Sequence, residues 1–392
     1  MRSLLACLLI AGCTGSAPRE ETGPVVISIG TDAVSSLPPR AQLVEQDGEI
    51  AIAVVDAGDL EVLSERMHAE HHRCGGFAVH DSVIDAYLAQ TAAKPAPFKY
   101  SIDRPEVVKE ILPALSEANI LGTITELQSM KNRYYRSASG AAASEWLRDR
   151  WKSYARRSDI TVELFDHGYP QKSVIMTIPG TTKANEVVVI GGHLDSIAPG
   201  GSGSRAPGAD DDASGIATLS EVARALLAGE FRNERTIMFM GYAAEEVGLR
   251  GSLAIAKAFK QRGVNVVGVL QLDMTNYQGS GADIWIITDH TNQEQNLFLT
   301  SLIETYVGAT YGFDRCGYAC SDHASWNRHG FRASMPFESR SREMNRSIHT
   351  DRDTLERSNN NASHAIKFAR LGAAYAIELA KGSIVATKLA GL

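Results

Sequence analysis

Several things are scarce or missing in this 392-residue chain, and each absence narrows the reading. There is no excess of basic charge: the net charge is −7, whereas a general nucleic-acid binder shows a basic stripe. There are no heptads, internal repeats or low-complexity tracts, which argues against coiled coils and solenoids. The apolar run Leu4–Ala11 is too short to span a bilayer. Cysteine is sparse, at five residues, with Cys7 and Cys13 in the leader and Cys74 an odd thiol. The spacing of Cys316 and Cys320 suits a small disulfide-closed loop or a short zinc clip that no nearby second pair completes.

What is present reads as an exported globular protein. With 44% hydrophobic and 22% charged residues, the composition is that of an ordinary folded chain. Arg2, the apolar run and Gly12 form a signal-peptide pattern, and "LIAGC" resembles a bacterial lipoprotein box ending at Cys13. Residues 1–13 are therefore expected to be a signal peptide, with Cys13 lipidated or with a plain secretory cut near Gly12–Ser16. Either outcome places a bacterial protein outside the cytoplasm, secreted or lipid-anchored in the cell envelope.

Two folded regions are expected. Strands at Val25–Gly30 and Glu49–Ala57, and helices at Asp59–Arg73 and Asp81–Gln90, predict a small α+β module over residues 24–97. The proline-bearing segment Thr91–Tyr100 has no period and reads as its linker. Residues 98–392 then form the larger domain. Its strands are expected at Ser173–Gly180, Glu186–Gly192, Arg235–Ala243, Val266–Asp273 and Asp283–Asp289. Amphipathic helices at Ala213–Gly229 and Gly251–Gly263 end in glycine. Near-continuous apolar strands alternating with helices predict an α/β three-layer sandwich on a mixed, mostly parallel sheet. In such sheets ligands bind beyond the carboxyl ends of the strands.

Those ends carry the chemistry. "VVVIGGHLDS" delivers His193 and Asp195; "APGADDDASG" places Asp210, Asp211 and Asp212 before a helix. Glu245 and Glu246 follow the apolar "TIMFMGYAA", "VLQLDM" ends in Asp273, and "SIHT" supplies His349. Singly, each has a bland reading: an N-cap, a solvated face, a lone histidine. Together at buried strand ends, like charges are costly without a cation. Imidazoles and carboxylates without thiolates suit zinc, with manganese or cobalt as alternatives. A shared carboxylate between two such sets fits a two-metal hydrolytic site with ions about 3.5–4 Å apart.

From about Ile120 to Leu379 the chain resembles the secreted bacterial leucyl aminopeptidases that use a co-catalytic dizinc site. The likeness rests on "GTITELQSMKNRYYRSASGAAASEWL", "GGHLDS", "APGADDDASG", "YAAEEVGLRGS", "QLDM", "CGYACSDHASW", "MPFES" and "IHT". "MHAEHHRCGGFAVHD" resembles part of that family's propeptide. Position by position, the resemblance implies one Zn2+ on His193, Asp211 and Asp273 and a second on Asp211, Glu246 and His349. It implies Glu245 as general base, Asp195 as the group orienting His193, and a cis peptide between Asp211 and Asp212. It also implies a Cys316–Cys320 disulfide beside an apolar cleft walled by Met274, Cys316, Tyr318, Cys320, Met335, Phe337 and Ile348, with the Tyr318 hydroxyl available to the reaction intermediate. The substrates are then the N-termini of peptides or small proteins, leucine-like residues preferred, and the chain's own propeptide acts as chaperone and inhibitor of a monomer. The charged loop Glu338–Thr350, with Arg340, Arg342, Glu343 and Arg346, leaves acidic side chains open as substrates. Carboxypeptidases, acyl-amino-acid hydrolases, single-zinc glutaminyl cyclases and metal-free receptor ectodomains share the scaffold as rivals.

Overall fold

The computed structural model describes residues 23–71, 73, 75–91 and 95–385. The expected leader with Cys7 and Cys13, and Cys74, lie outside the described residues. Among the described residues no helix is long and apolar enough to cross a membrane.

The N-terminal module is an antiparallel sheet of β1 (Pro24–Gly30), β2 (Gln42–Asp47), β3 (Ile50–Asp56) and β4 (Phe77–His80), in the order β2-β3-β1-β4. One helix, α1 (Leu60–His71), crosses it, and α2 (Val83–Gln90) follows β4. Leu60, Leu63 and Met67 of α1 pack on Ile27, Ile29, Ala51, Ala53 and Val55. Their spacing gives α1 one apolar stripe and leaves its other face for the larger body.

That body opens with α3 (Pro105–Ile111), α4 (Glu117–Ser129) and α5 (Ala138–Tyr154). The strands β5 (Thr161–Phe165), β6 (Ser173–Ile178) and β7 (Lys183–His193) follow, then α6 (Ala213–Ala228), β8 (Phe231–Asn233), β9 (Arg235–Tyr242) and α7 (Arg250–Gln261). Next come β10 (Asn265–Gln271), β11 (Ile284–Ile287), α8 (Gln293–Leu302), β12 (Tyr311–Asp314) and α9 (His323–Arg328). The chain closes with β13 (Ala333–Ser334), β14 (Pro336–Phe337), α10 (Ala365–Ala380) and β15 (Gly382–Ile384). The central sheet has the order β13-β10-β7-β9-β6-β5, parallel from β13 to β9 and antiparallel at β6 and β5.

Alternation along the strands builds the three layers. Val188 and Ile190 of β7, with Ile237 and Phe239 of β9, face a core shared with α4, α5, α6 and α10. Their neighbours Val187, Val189, Met238, Met240 and Tyr242 face the opposite core, which contains Phe259 of α7 and Trp326 of α9. A side-chain period of two makes both faces of these strands apolar, which is why they read as unbroken hydrophobic runs. The linker is more anchored than its composition suggests. The Tyr100 ring stacks on Phe298 at 4.8 Å and its hydroxyl donates to Gln295 at 3.2 Å.

Candidate metal centre

The two glycines before His193 are there for clearance. A Cβ at Gly191 would overlap the Tyr242 ring, and one at Gly192 would sit 2.8 Å from the Leu272 carbonyl oxygen. Strand β7 can therefore run close to β9 and β10, and its last residue, His193, arrives fully buried.

Asp211 lies between two imidazoles. Its Oδ1 is 2.9 Å from Nε2 of His193, and its Oδ2 is 2.9 Å from Nε2 of His349. Asp273 Oδ1 is 3.6 Å from His193 Nε2, and Glu246 Oε2 is 3.1 Å from His349 Nε2. The five expected ligands thus fall into two groups that meet at Asp211. Asp212 also lies within reach of His193 and Asp273. Its oxygens, however, are engaged: Oδ2 accepts from His193 N at 2.9 Å, and Oδ1 from Gly215 N at 2.8 Å and Met274 N at 3.1 Å. Asp212 is thereby the N-cap of α6 and a brace between strands. The peptide joining Asp211 and Asp212 is cis.

Asp195 is 3.4 Å from Nδ1 of His193 and accepts from the backbone N–H of Glu245 at 3.0 Å and of Glu246 at 3.1 Å. One carboxylate thus fixes an imidazole and the turn that carries the paired glutamates. Ala244, Met274 and His349 all have left-handed backbones, with φ of 56°, 54° and 56°. Non-glycine residues take that conformation rarely, and here each adjoins or supplies a site group.

Electrostatics point to missing positive charge. Burial, joined by Asp322, Glu246 and Asp273, pushes the Glu245 carboxyl well above the usual range. Burial and Asp211 raise Glu246 to about 7. Burial opposes a charge on His349, yet Glu246 and Asp211 lift it to about 10. His193 is likewise held well above the ordinary histidine range, against its burial, by Asp273, Asp195 and Asp211. Both oxygens of Glu245, Oε1 of Glu246 and Oδ1 of Asp273 are buried without a hydrogen-bond partner among the described residues. Such orphaned acceptors cost free energy unless a cation satisfies them, so the residues fit divalent metal.

A supporting tier escaped the sequence reading. Arg133, fully buried, donates to the carbonyls of Leu194 at 2.8 Å, Pro207 at 2.6 Å and Gly208 at 2.9 Å, tying the His193 loop to the aspartate loop. Asp353 accepts from Asp211 N at 3.1 Å, and Asn345 bridges Asp353 and Asp210. Arg133 stood inside a quoted motif, but nothing in its spacing marked it as a brace.

Beside the centre is a cleft of about 630 Å³ whose lining includes Asp273, Met274, Cys316, Tyr318, Cys320, Met335 and Phe337. Met274, Cys320, Met335, Phe337 and Ile348 form one apolar cluster, with Cys316 and Tyr318 packed against it and Ile287 and Met344 added to the expected set. Cys316 and Cys320 are joined by a disulfide. Of the charged loop, Arg342 and Arg346 reach the cleft, together with Arg315, and all three are solvent-exposed. Arg340 instead lies over the Trp285 ring at 4.4 Å.

Comparison with known proteins identifies the chain's family and relatives. Residues 173–374 match peptidase family M28. Leucine aminopeptidase 1 of Arthroderma otae is 38% identical over 318 residues, covering 76% of this chain and 84% of that protein. Leucine aminopeptidase 1 of Ajellomyces capsulatus is 38% identical over 289 residues, 70% of this chain and 74% of that protein. Among solved structures, the LapA aminopeptidase of Legionella pneumophila superposes with a TM-score of 0.81 at 29% identity, covering 92% of this chain and 100% of that one. LapB of the same organism gives 0.81 at 28% identity, with the same coverage.

Proposed function

Because the chain belongs to peptidase family M28 and is a metallo-aminopeptidase, we propose that it hydrolyses the N-terminal residue from peptides and small proteins at a centre of two Zn2+ ions, with Glu245 as base. The observation that carries this reading is the placement of Asp211, one oxygen on His193 and the other on His349. His193, Asp211 and Asp273 would hold one ion, and Asp211, Glu246 and His349 the other. Zinc in such a site polarises the scissile carbonyl and makes water a nucleophile near neutral pH. Glu245 is buried beside the proposed ligands with no hydrogen-bond partner for either oxygen among the described residues, which suits it to take a proton from the attacking water and return it to the departing amine. Tyr318 lines the same cleft, and its hydroxyl would donate to the developing negative charge.

The apolar cluster of Met274, Met335, Phe337 and Ile348 favours leucine-like first residues. The rim of Arg315, Arg342 and Arg346 favours a second reading, acidic first residues, for the same site. Anilides of leucine and glutamate, assayed with the chain freed of its N-terminal module and compared after chelation and zinc restoration, test both. Leucine activity that disappears and returns with zinc supports the first reading; zinc-dependent activity on glutamate alone supports the second. No activity in any state contradicts the proposal.

The module of residues 24–97 fits a propeptide that assists folding and blocks the site, leaving residues 98–392 as the catalytic monomer. Its position supports this: Ser64 Oγ donates to the Glu246 carbonyl at 2.6 Å, Val79 N donates to the Gly248 carbonyl at 3.2 Å, and His71 and Arg73 line the cleft. Export through residues 1–13, with or without lipid on Cys13, completes the proposal. Appearance of the processed chain in the medium or the membrane fraction tests it.

A further inference from the structure

We propose that, while the N-terminal module is attached, His68 is itself a ligand at the Glu246–His349 metal position, so that the module is fastened to the catalytic body through metal. The proposal rests on the two-metal reading above and adds a donor that lies outside the catalytic body.

His68 is in the last turns of α1, and its imidazole stacks on that of His349 with ring centroids 3.7 Å apart and planes inclined by 18°. Its Nε2 is 3.7 Å from Oε2 of Glu246. One ligand atom from each of His68, Glu246 and His349 lies within 4.8 Å of the others. Two imidazoles and a carboxylate are a donor set that zinc accepts. The hydroxyl of Ser64, at 3.5 Å, is the one hydrogen-bond partner the His68 ring has among the described residues.

The helix is aimed rather than resting there by chance. Ser64, one turn before His68 and on the same face, bonds to the Glu246 carbonyl at 2.6 Å. Glu65 accepts from Gly200 N at 2.8 Å. On the other side, Leu60, Leu63 and Met67 lock α1 to its own sheet. A catalytic zinc keeps an open position for water or substrate, and the His68 imidazole would take that position. Arg73 covers the neighbouring cleft, its guanidinium 4.9 Å over the Tyr318 ring. The block therefore has two parts, a metal anchor and a cleft cover.

The test is a cobalt and zinc titration of the full-length apo chain, wild type against His68→Ala and His68→Cys. Wild type is expected to bind two ions. His68→Ala should weaken one of them by at least about 10-fold, the size of effect that even an outer-shell partner commands, and leave the other unchanged. His68→Cys with cobalt should gain a thiolate-to-cobalt absorption that neither other chain shows. Two ions bound alike by all three chains, with no thiolate band, overturn this proposal alone. Fewer than two ions in every chain overturn the two-metal reading and this one with it.

Discussion

Asp195 stands 3.4 Å from Nδ1 of His193, and the carboxylate that orients this imidazole also receives the N–H groups of the two glutamates. Its work is positional, on a proposed ligand and on the base at once. Asp195→Asn is expected to lower zinc affinity by about 10- to 100-fold, the usual cost of losing an outer partner of a metal-bound histidine. Competition against a chromogenic chelator measures it. Unchanged affinity would show that His193 is held by its backbone alone.

Glu245 and Glu246 are adjacent but are expected to fail differently. Glu245→Gln should retain metal while kcat falls by about 10²- to 10⁴-fold, the typical share of a general base. Glu246→Gln should lose metal from one position. Metal content and kcat measured on the same preparations separate the two.

Met335 is buried in the cleft wall. Met335→Ala is expected to reduce the preference for leucine over alanine anilide by about 10-fold, within the roughly 1–3 kcal/mol that an apolar group contributes to a specificity pocket. Taking the ratio of kcat/KM values cancels any loss of folded protein. A ratio that does not move would place the first side chain elsewhere, with the arginine rim as the next region to examine.

Acid should loosen the N-terminal module. His80, bonded to Ser28 at 2.8 Å, is lowered to about 3 by burial and then by Arg328 and His329, with Lys257 adding to this and Asp85 opposing it. The folded module keeps this ring neutral, whereas the unfolded chain takes up a proton near pH 6.5. The contribution to stability is therefore complete above about pH 6.5 and is lost as the pH falls toward 3. Proteolysis of the 91–98 segment followed against pH should accelerate over that window, and His80→Gln should flatten the response. Equal pH dependence in both chains would assign the effect to other groups.

How much of this was legible in sequence depended on the kind of signal. Strand β7 was readable because both faces of Val187–Ile190 are buried, and its glycines precede a histidine at the strand tip. Of the proposed ligands, His193, Asp211, Glu246 and Asp273 were readable because they follow an apolar strand or precede a helix, whereas His349 lies in a turn and only the family resemblance singled it out. Strand β2 was not: all of Gln42–Asp47 is exposed, so no alternation was imposed on it. Helix α10 is buried almost all round, which erases the stripe that reveals a surface helix. Helix α5 buries Gly140, Ala143 and Ser144 along with Leu147 and Trp151, and small residues leave a faint period. His68 sat in the polar run "MHAEHH", where only the tertiary packing of α1 singles it out.

The central claim, two ions meeting at Asp211, is tested most directly by anomalous diffraction at the zinc edge from crystals of the purified full-length chain. The account predicts two peaks flanking the Asp211 carboxylate, one against His193 and Asp273 and the other against Glu246 and His349. A single peak, or peaks away from Asp211, would contradict it.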